Sequence, residues 1–182
     1  MVHVMVLERL EEAAATLDSI ASSIRRGIRP AETIAENRAN TAIYTISEAF
    51  EELALALRRL KCIADAKGIK DSSVVGLCTT WRLYESDGGL VLLRIKPETV
   101  IAIRDGHVTF HRDVYKLEAE GATVKLCKWN YCKTINPLDR EKIMKELPQI
   151  FYLLRSISNM VRKTAESIQL CARREAAECA RL

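Results

Sequence analysis

The feature that most constrains this chain is a change of hydrophobic period. The pattern is helical up to about residue 70, strand-like from about 72 to 135, and helical again from about 136 to 181. In the first part Val6, Leu10, Ala13, Leu17, Ile20 and Ile24 step by fours and threes, the a/d spacing of an amphipathic helix. Gly27 and Arg29-Pro30 end that stripe. Proline is tolerated in the first turn of a helix but not in its interior, so a second helix is predicted from about Pro30 to Ala66. Its cleanest stretch is Ile43, Ile46, Phe50, Leu53, Leu57, Leu60 and Ala64, closed by Lys67-Gly68.

From Ser72 onward Val, Thr, Trp, Leu and Ile dominate, and turn signals recur every eight to twelve residues. This predicts strands over Val74–Glu85, Leu90–Ile95, Thr99–Arg104, His107–Asp113 and near Thr123–Trp129. Asp105-Gly106 is a two-residue hairpin signal, because both residues accept the positive φ of a type I′ turn. It pairs Arg104 with His107, Ile103 with Val108, Ala102 with Thr109 and Ile101 with Phe110. Ile101, Ile103, Val108 and Phe110 then share the buried face. For the preceding hairpin, a three-residue loop at Asp87-Gly88-Gly89 pairs Leu83 with Leu93 and Trp81 with Ile95; a four-residue loop slips this by one. Asn136-Pro137-Leu138-Asp139 opens a long last helix with Asn as cap. Its stripe runs Ile143, Leu147, Ile150, Leu154, Ile157, Val161, Thr164, Ile168 and Cys171, with a kink expected near Pro148.

The predicted architecture is α+β: two N-terminal helices and one C-terminal helix packed around a central antiparallel sheet of about five strands, in a single unit over residues 1–182. Helix–hairpins–helix order is similar to that of the α-type subunit of prefoldin, from which Gly27–Pro30 and an odd fifth strand depart. A helical bundle with an inserted small sheet also resembles some archaeal small subunits of CRISPR surveillance complexes. No motif carries either resemblance, so no residue role follows from them.

No apolar run approaches the ~20 residues that span a bilayer, and Glu8, Arg9, Glu11 and Glu12 interrupt the first apolar residues. A cytoplasmic protein without membrane contact is expected. Six cysteines (62, 78, 127, 132, 171 and 179) are then read as buried free thiols. Only two glutamines occur, among abundant Arg and Glu, which points to a thermophilic source and makes a disulfide a real alternative. Zinc wants four converging Cys or His ligands, and only Cys127 and Cys132 form a close pair, so no metal or other cofactor is predicted.

Catalytic motifs are missing: there is no nucleophile elbow, no metalloprotease helix motif, no phosphate-binding glycine loop and no dinucleotide fingerprint. The net charge of +4 is unevenly spread. Residues 1–71 carry 10 basic and 11 acidic side chains, residues 72–136 carry 9 and 7, and residues 137–182 carry 9 and 6. From Ala122 to Pro137 there are three lysines, two aromatics and no acid. Lysines neutralise phosphates and rings stack on unpaired bases, so Lys125, Lys128, Trp129, Tyr131 and Lys133 are the candidate nucleic-acid contacts, with Arg104 and His107 beside them. Alternatively, lysines protect an edge strand and Trp129 sits in the core. A last helix reaching about 60 Å outruns a small sheet. Leu154, Ile157, Val161, Ile168 and Cys171 are therefore candidates for association with a second copy, a dimer first, or with another subunit. The leading reading is a non-enzymatic, self-associating subunit that contacts nucleic acid through its basic strand region. The alternatives are a chaperone-like interaction scaffold without nucleic acid, and a small enzyme with no recognisable motif.

Overall fold

The computed structural model describes residues 6–69, 74–78 and 80–182. The predicted entry to the strand region at Ser72 lies outside the described residues. Two helices come first, α1 (Val6–Arg25) and α2 (Ile34–Ala66). The second starts four residues later than Pro30 predicts. Thr33 is its N-cap: the Thr33 hydroxyl accepts from the Glu36 amide while Glu36 reaches back to Thr33 and Glu32, a capping box that outcompetes the proline signal. The last helix, α3 (Arg140–Glu175), likewise starts later than predicted, with Asp139 rather than Asn136 as its cap. Pro148 lies inside α3 and does not divide it. A short 3₁₀ turn, Ala177–Arg181, follows.

Between α2 and α3 the described residues form one antiparallel sheet of eight strands, not about five: β1 (Val74–Leu77), β2 (Trp81–Ser86), β3 (Gly89–Arg94), β4 (Thr99–Arg104), β5 (His107–Arg112), β6 (Tyr115–Glu120), β7 (Thr123–Lys128) and β8 (Tyr131–Ile135). Every strand pairs with its neighbours in sequence, a pure meander. The predicted single strand Val74–Glu85 is two strands, broken at Cys78, which has φ 56°. β6 and β8 are the strands that sequence reading missed. The Asp105-Gly106 register is as predicted at all four pairs, and Ile101, Ile103, Val108 and Phe110 are buried together. The preceding hairpin takes the register of the four-residue alternative, one residue off the three-residue one, although its turn is tighter than either loop. Asp87-Gly88 is itself a two-residue turn with positive φ at both positions, so Leu83 pairs with Leu92 and Trp81 with Arg94.

Ion pairs fix the helix directions. Arg25 reaches Glu51 while Arg58 reaches Asp18 and Glu11, so α1 runs antiparallel to α2. Arg140 donates to the carbonyls of Gly27 and Glu36, Arg162 pairs with Glu48 and Glu52, and Lys67 pairs with Glu175, so α3 runs parallel to α2. The chain must therefore return the length of α2 before α3 begins, and the sheet makes that return by stepping sideways, strand by strand. Its strands cross the helices. The turns after β2, β4 and β6 line up along α1: Arg9 pairs with Glu85, Thr16 borders one hollow with Gly89 and Asp105, and Ile20 borders another with Glu120 and Gly121. The opposite strand ends line up along α3: Cys78 bonds Cys171, and Met160 borders one hollow with Pro97 and Asp113.

Seven inter-strand steps cover about 34 Å of a helix about 54 Å long, far more than a sheet running along the bundle would. One hydrophobic cluster consequently runs through all three helices and the sheet. Leu154, Ile157, Val161, Ile168 and Cys171, predicted to meet another copy, are buried inside this chain.

All six cysteines are paired: Cys62–Cys179, Cys78–Cys171 and Cys127–Cys132. The expectation of free thiols is corrected. The first two bridges join residues 117 and 93 positions apart and tie α2 and the β1–β2 loop to the end of the chain. The third spans the β7–β8 hairpin, where Cys127 and Cys132 stand directly opposite each other.

Candidate nucleic-acid interface

The predicted contact residues do not form one surface. Side chains alternate between faces along a strand, and β7 shows the consequence. Val124 and Leu126 are buried against the helices while Lys125 points to the open face. There Lys125 stands opposite Glu118, whose carboxyl is held below the usual range first by a hydrogen bond from Lys116 and then by the charges of Lys116 and Lys125. Lys133 lies across from Leu126, on the helix-facing side of the edge strand, and is half-buried. Arg104 and His107 sit at the other end of the strands, beside α1. Arg104 lies 3.3 Å from Asp105 and 3.9 Å from Asp87, and the His107 Nδ1 lies 3.6 Å from Glu120.

Lys128, Trp129 and Tyr131 do come together, at the β7–β8 turn on the α3 side. Trp129 is 74% exposed and has φ 54°. A bulky residue in the left-handed region costs about 1–2 kcal/mol, and such strain tends to be kept at functional positions. Trp129 is therefore not the core residue that the edge-strand alternative required. Its amide donates to the Val114 carbonyl, fixing this tip to the neighbouring turn.

Following the register inward from that tip brings up what sequence reading missed. Seven residues stand side by side across the helix-facing side of the sheet: Trp81, Arg94, Thr99, Arg112, Tyr115, Lys128 and Tyr131. Three cations alternate with three aromatics and Thr99, at the strand ends that lie against α3. The Arg94 guanidinium is 5.9 Å from the Trp81 ring and the Lys128 ammonium 5.7 Å from that of Tyr115, both cation–π geometries. Among the described residues no carboxylate lies within ion-pair distance of Arg94, Arg112 or Lys128, although 12 such contacts form elsewhere. The Arg94 Nε is buried without a hydrogen-bond partner. Burial, and then the charge of Arg112, lower the Arg94 pKa from its ordinary value. Trp81 and Thr99 are buried, Arg94, Arg112 and Tyr115 are half-buried, and Lys128 and Tyr131 at the edge of the sheet are exposed. Two solvent-open hollows flank it: one of about 530 Å³ between Arg112, His111 and Met160, and one of about 410 Å³ between Arg94 and the end of α3.

The signal that would have found the row is an eight-residue period. Strands β4 to β8 begin at residues 99, 107, 115, 123 and 131, since each of β4 to β7 is a six-residue strand followed by a two-residue turn. Arg112 and Lys128 are two periods apart.

Compared with protein-family models, curated proteins and solved structures, the chain matches none.

Proposed function

We propose that this protein is a non-enzymatic subunit that binds single-stranded nucleic acid along the cation–aromatic row beside α3, with Trp129 as an exposed stacking ring at its open end. The observation that carries the reading is the row itself: three cations without carboxylate partners, interleaved with rings, in one line about 29 Å long from β2 to β8. Cations without carboxylate partners favour a polyanion, and rings favour unpaired bases over a closed duplex. A strand advancing 3.4 Å per stacked nucleotide would cover the row with about eight nucleotides, fewer if stretched. Lys125 and Lys133 then act as flanking charges rather than the centre, and Arg104 and His107 drop out of the contact. The test is fluorescence anisotropy of single-stranded and duplex oligonucleotides at low and moderate salt. Salt-dependent binding with a single-strand preference is expected; equal or absent binding of both sinks the reading.

Self-association, if it accompanies this function, uses a surface other than the α3 stripe. The face of the sheet turned away from the helices is the candidate, since Tyr84, Val91, Leu93, Val100 and Ala102 lie side by side there and are only half-buried or less covered. Light scattering at rising concentration tests it, and a strict monomer argues against it. Three disulfides suit either an oxidising compartment or the cytoplasm of a hyperthermophile; the scarcity of glutamine favours the second.

A further inference from the structure

The row ends in a hollow whose chemistry is narrower than that of the row. Arg94, Arg174, Thr80 and Ser167 line it, with the Cys78–Cys171 bridge alongside. Its volume, about 410 Å³, is that of a small ligand group rather than a stack of bases. Glu175 is the one carboxylate lining it, and that charge is already matched by Lys67. Arg94 Nε is buried and has no acceptor, and Arg174 makes no ion pair among the described residues. The carboxyl end of α3 is nearby and carries negative partial charge, so an anion here depends on side-chain cations rather than on the helix. Two guanidinium forks and two hydroxyls are the donors that a phosphate dianion takes. Leu170, half exposed at the rim, offers an apolar surface to whatever the phosphate is attached to.

We infer that this hollow is a pocket for a terminal phosphomonoester, holding the end of the strand whose length lies along the row. The inference rests on the single-strand reading of the row, but the pocket can be tested apart from it. One oligonucleotide sequence is prepared with a 5′-phosphate, with a 3′-phosphate and with neither, and its affinity is measured on the full chain. A gain of about tenfold or more is expected for one phosphorylated end, and whichever end gains sets the strand's polarity. Arg174→Gln should erase that gain while leaving the unphosphorylated affinity within about twofold, and Ser167→Ala should reduce it; both lie on α3, off the row. Equal affinity for all three oligonucleotides, or a gain that survives both Arg94→Gln and Arg174→Gln, overturns the pocket and leaves the row reading standing. If no oligonucleotide binds, the row reading fails and inorganic phosphate decides the pocket. A rise in melting temperature with phosphate at constant ionic strength, lost in Arg174→Gln, supports a site for free phosphate or a small phosphomonoester. No such rise overturns it.

Discussion

The two ends of the strands are built from the same meander but neutralised in opposite ways. Beside α1 the turns are Asp87-Gly88, Asp105-Gly106 and Gly121-Ala122, tight and small; Arg9 meets Glu85 and Arg104 meets Asp87 and Asp105, while His107 stands beside Glu120. Beside α3 the connections carry Cys78, Pro97, Asp113 and Trp129, and the cations meet rings and one another instead. A guanidinium facing another guanidinium raises the cost of the folded state. Such an arrangement is the kind a ligand would relieve. On the proposed reading the α1 end is already neutralised and the α3 end is the contact surface, and each prediction below presses on that division.

The largest effect is expected from removing the row's charge. The triple variant Arg94→Gln/Arg112→Gln/Lys128→Gln should lose roughly 100-fold in single-strand affinity near 0.1 M salt, and the slope of log affinity against log salt should fall by about two, since each phosphate contact on a single strand contributes about 0.7. Anisotropy titrations across a salt series measure both. An unchanged slope would move the binding surface elsewhere. The α3 side is also the stapled side. Replacing Cys78 and Cys171 together by Ser should cost about 2–4 kcal/mol, a fall in melting temperature of roughly 10 °C for a chain of this size, read by thermal unfolding. Affinity for the phosphorylated oligonucleotide should fall with it, because that bridge fixes the β1–β2 loop against α3 at the hollow.

Trp129 separates the two roles within one residue. Its left-handed backbone costs stability that Asn, which tolerates that region, would not incur. Trp129→Asn should therefore leave the unfolding free energy unchanged or raise it by up to about 1 kcal/mol, while affinity falls about tenfold through the loss of one stacked base. Stability and affinity moving in opposite directions is the signature; a loss of both would make Trp129 a structural residue.

How much of this was legible depended on where a turn announces itself. The Asp105-Gly106 hairpin was readable to the residue because both turn positions are the types that accept positive φ, and its alternation of Ile, Val and Phe is strong. β6 was not. It is entered through Asp113-Val114, without glycine, and its outward positions are Lys116, Glu118 and Glu120, so the sequence reads as a polar connection although Leu117 and Ala119 are buried. β8 is entered through Trp129-Asn130, whose first residue is among the last expected at positive φ. Losing these two strands made the sheet look too small for α3 and assigned the residues from Leu154 to Cys171 to a second copy, whereas they are buried within the chain. The basic stretch around Lys128 was visible as composition, but its lysines divide between faces. Arg94 and Arg112, eighteen residues apart, become neighbours of one ladder only once β3, β4 and β5 are in register.

The smallest effect belongs to the α1 side, and it is what makes the comparison sharp. Arg104 is 55% exposed, and its partners Asp87 and Asp105 are 82% and 85% exposed at 3.9 and 3.3 Å. Exposed pairs of this kind contribute about 0–1 kcal/mol, because water screens the attraction and holding two mobile side chains together costs entropy. Arg104→Gln should therefore change the unfolding free energy by less than about 0.5 kcal/mol. His107→Gln, beside the exposed Glu120, should do no more. Neither should alter single-strand affinity by more than about twofold, because the two turn-side carboxylates already occupy the charge a phosphate would seek. The same measurements that score the row variants score these. If Arg104→Gln weakens binding as much as Arg112→Gln does, charge anywhere on the sheet suffices and the division between the two strand ends collapses. If it does not, a difference of one cation on the same sheet, with the same charge removed, locates the contact on the α3 side.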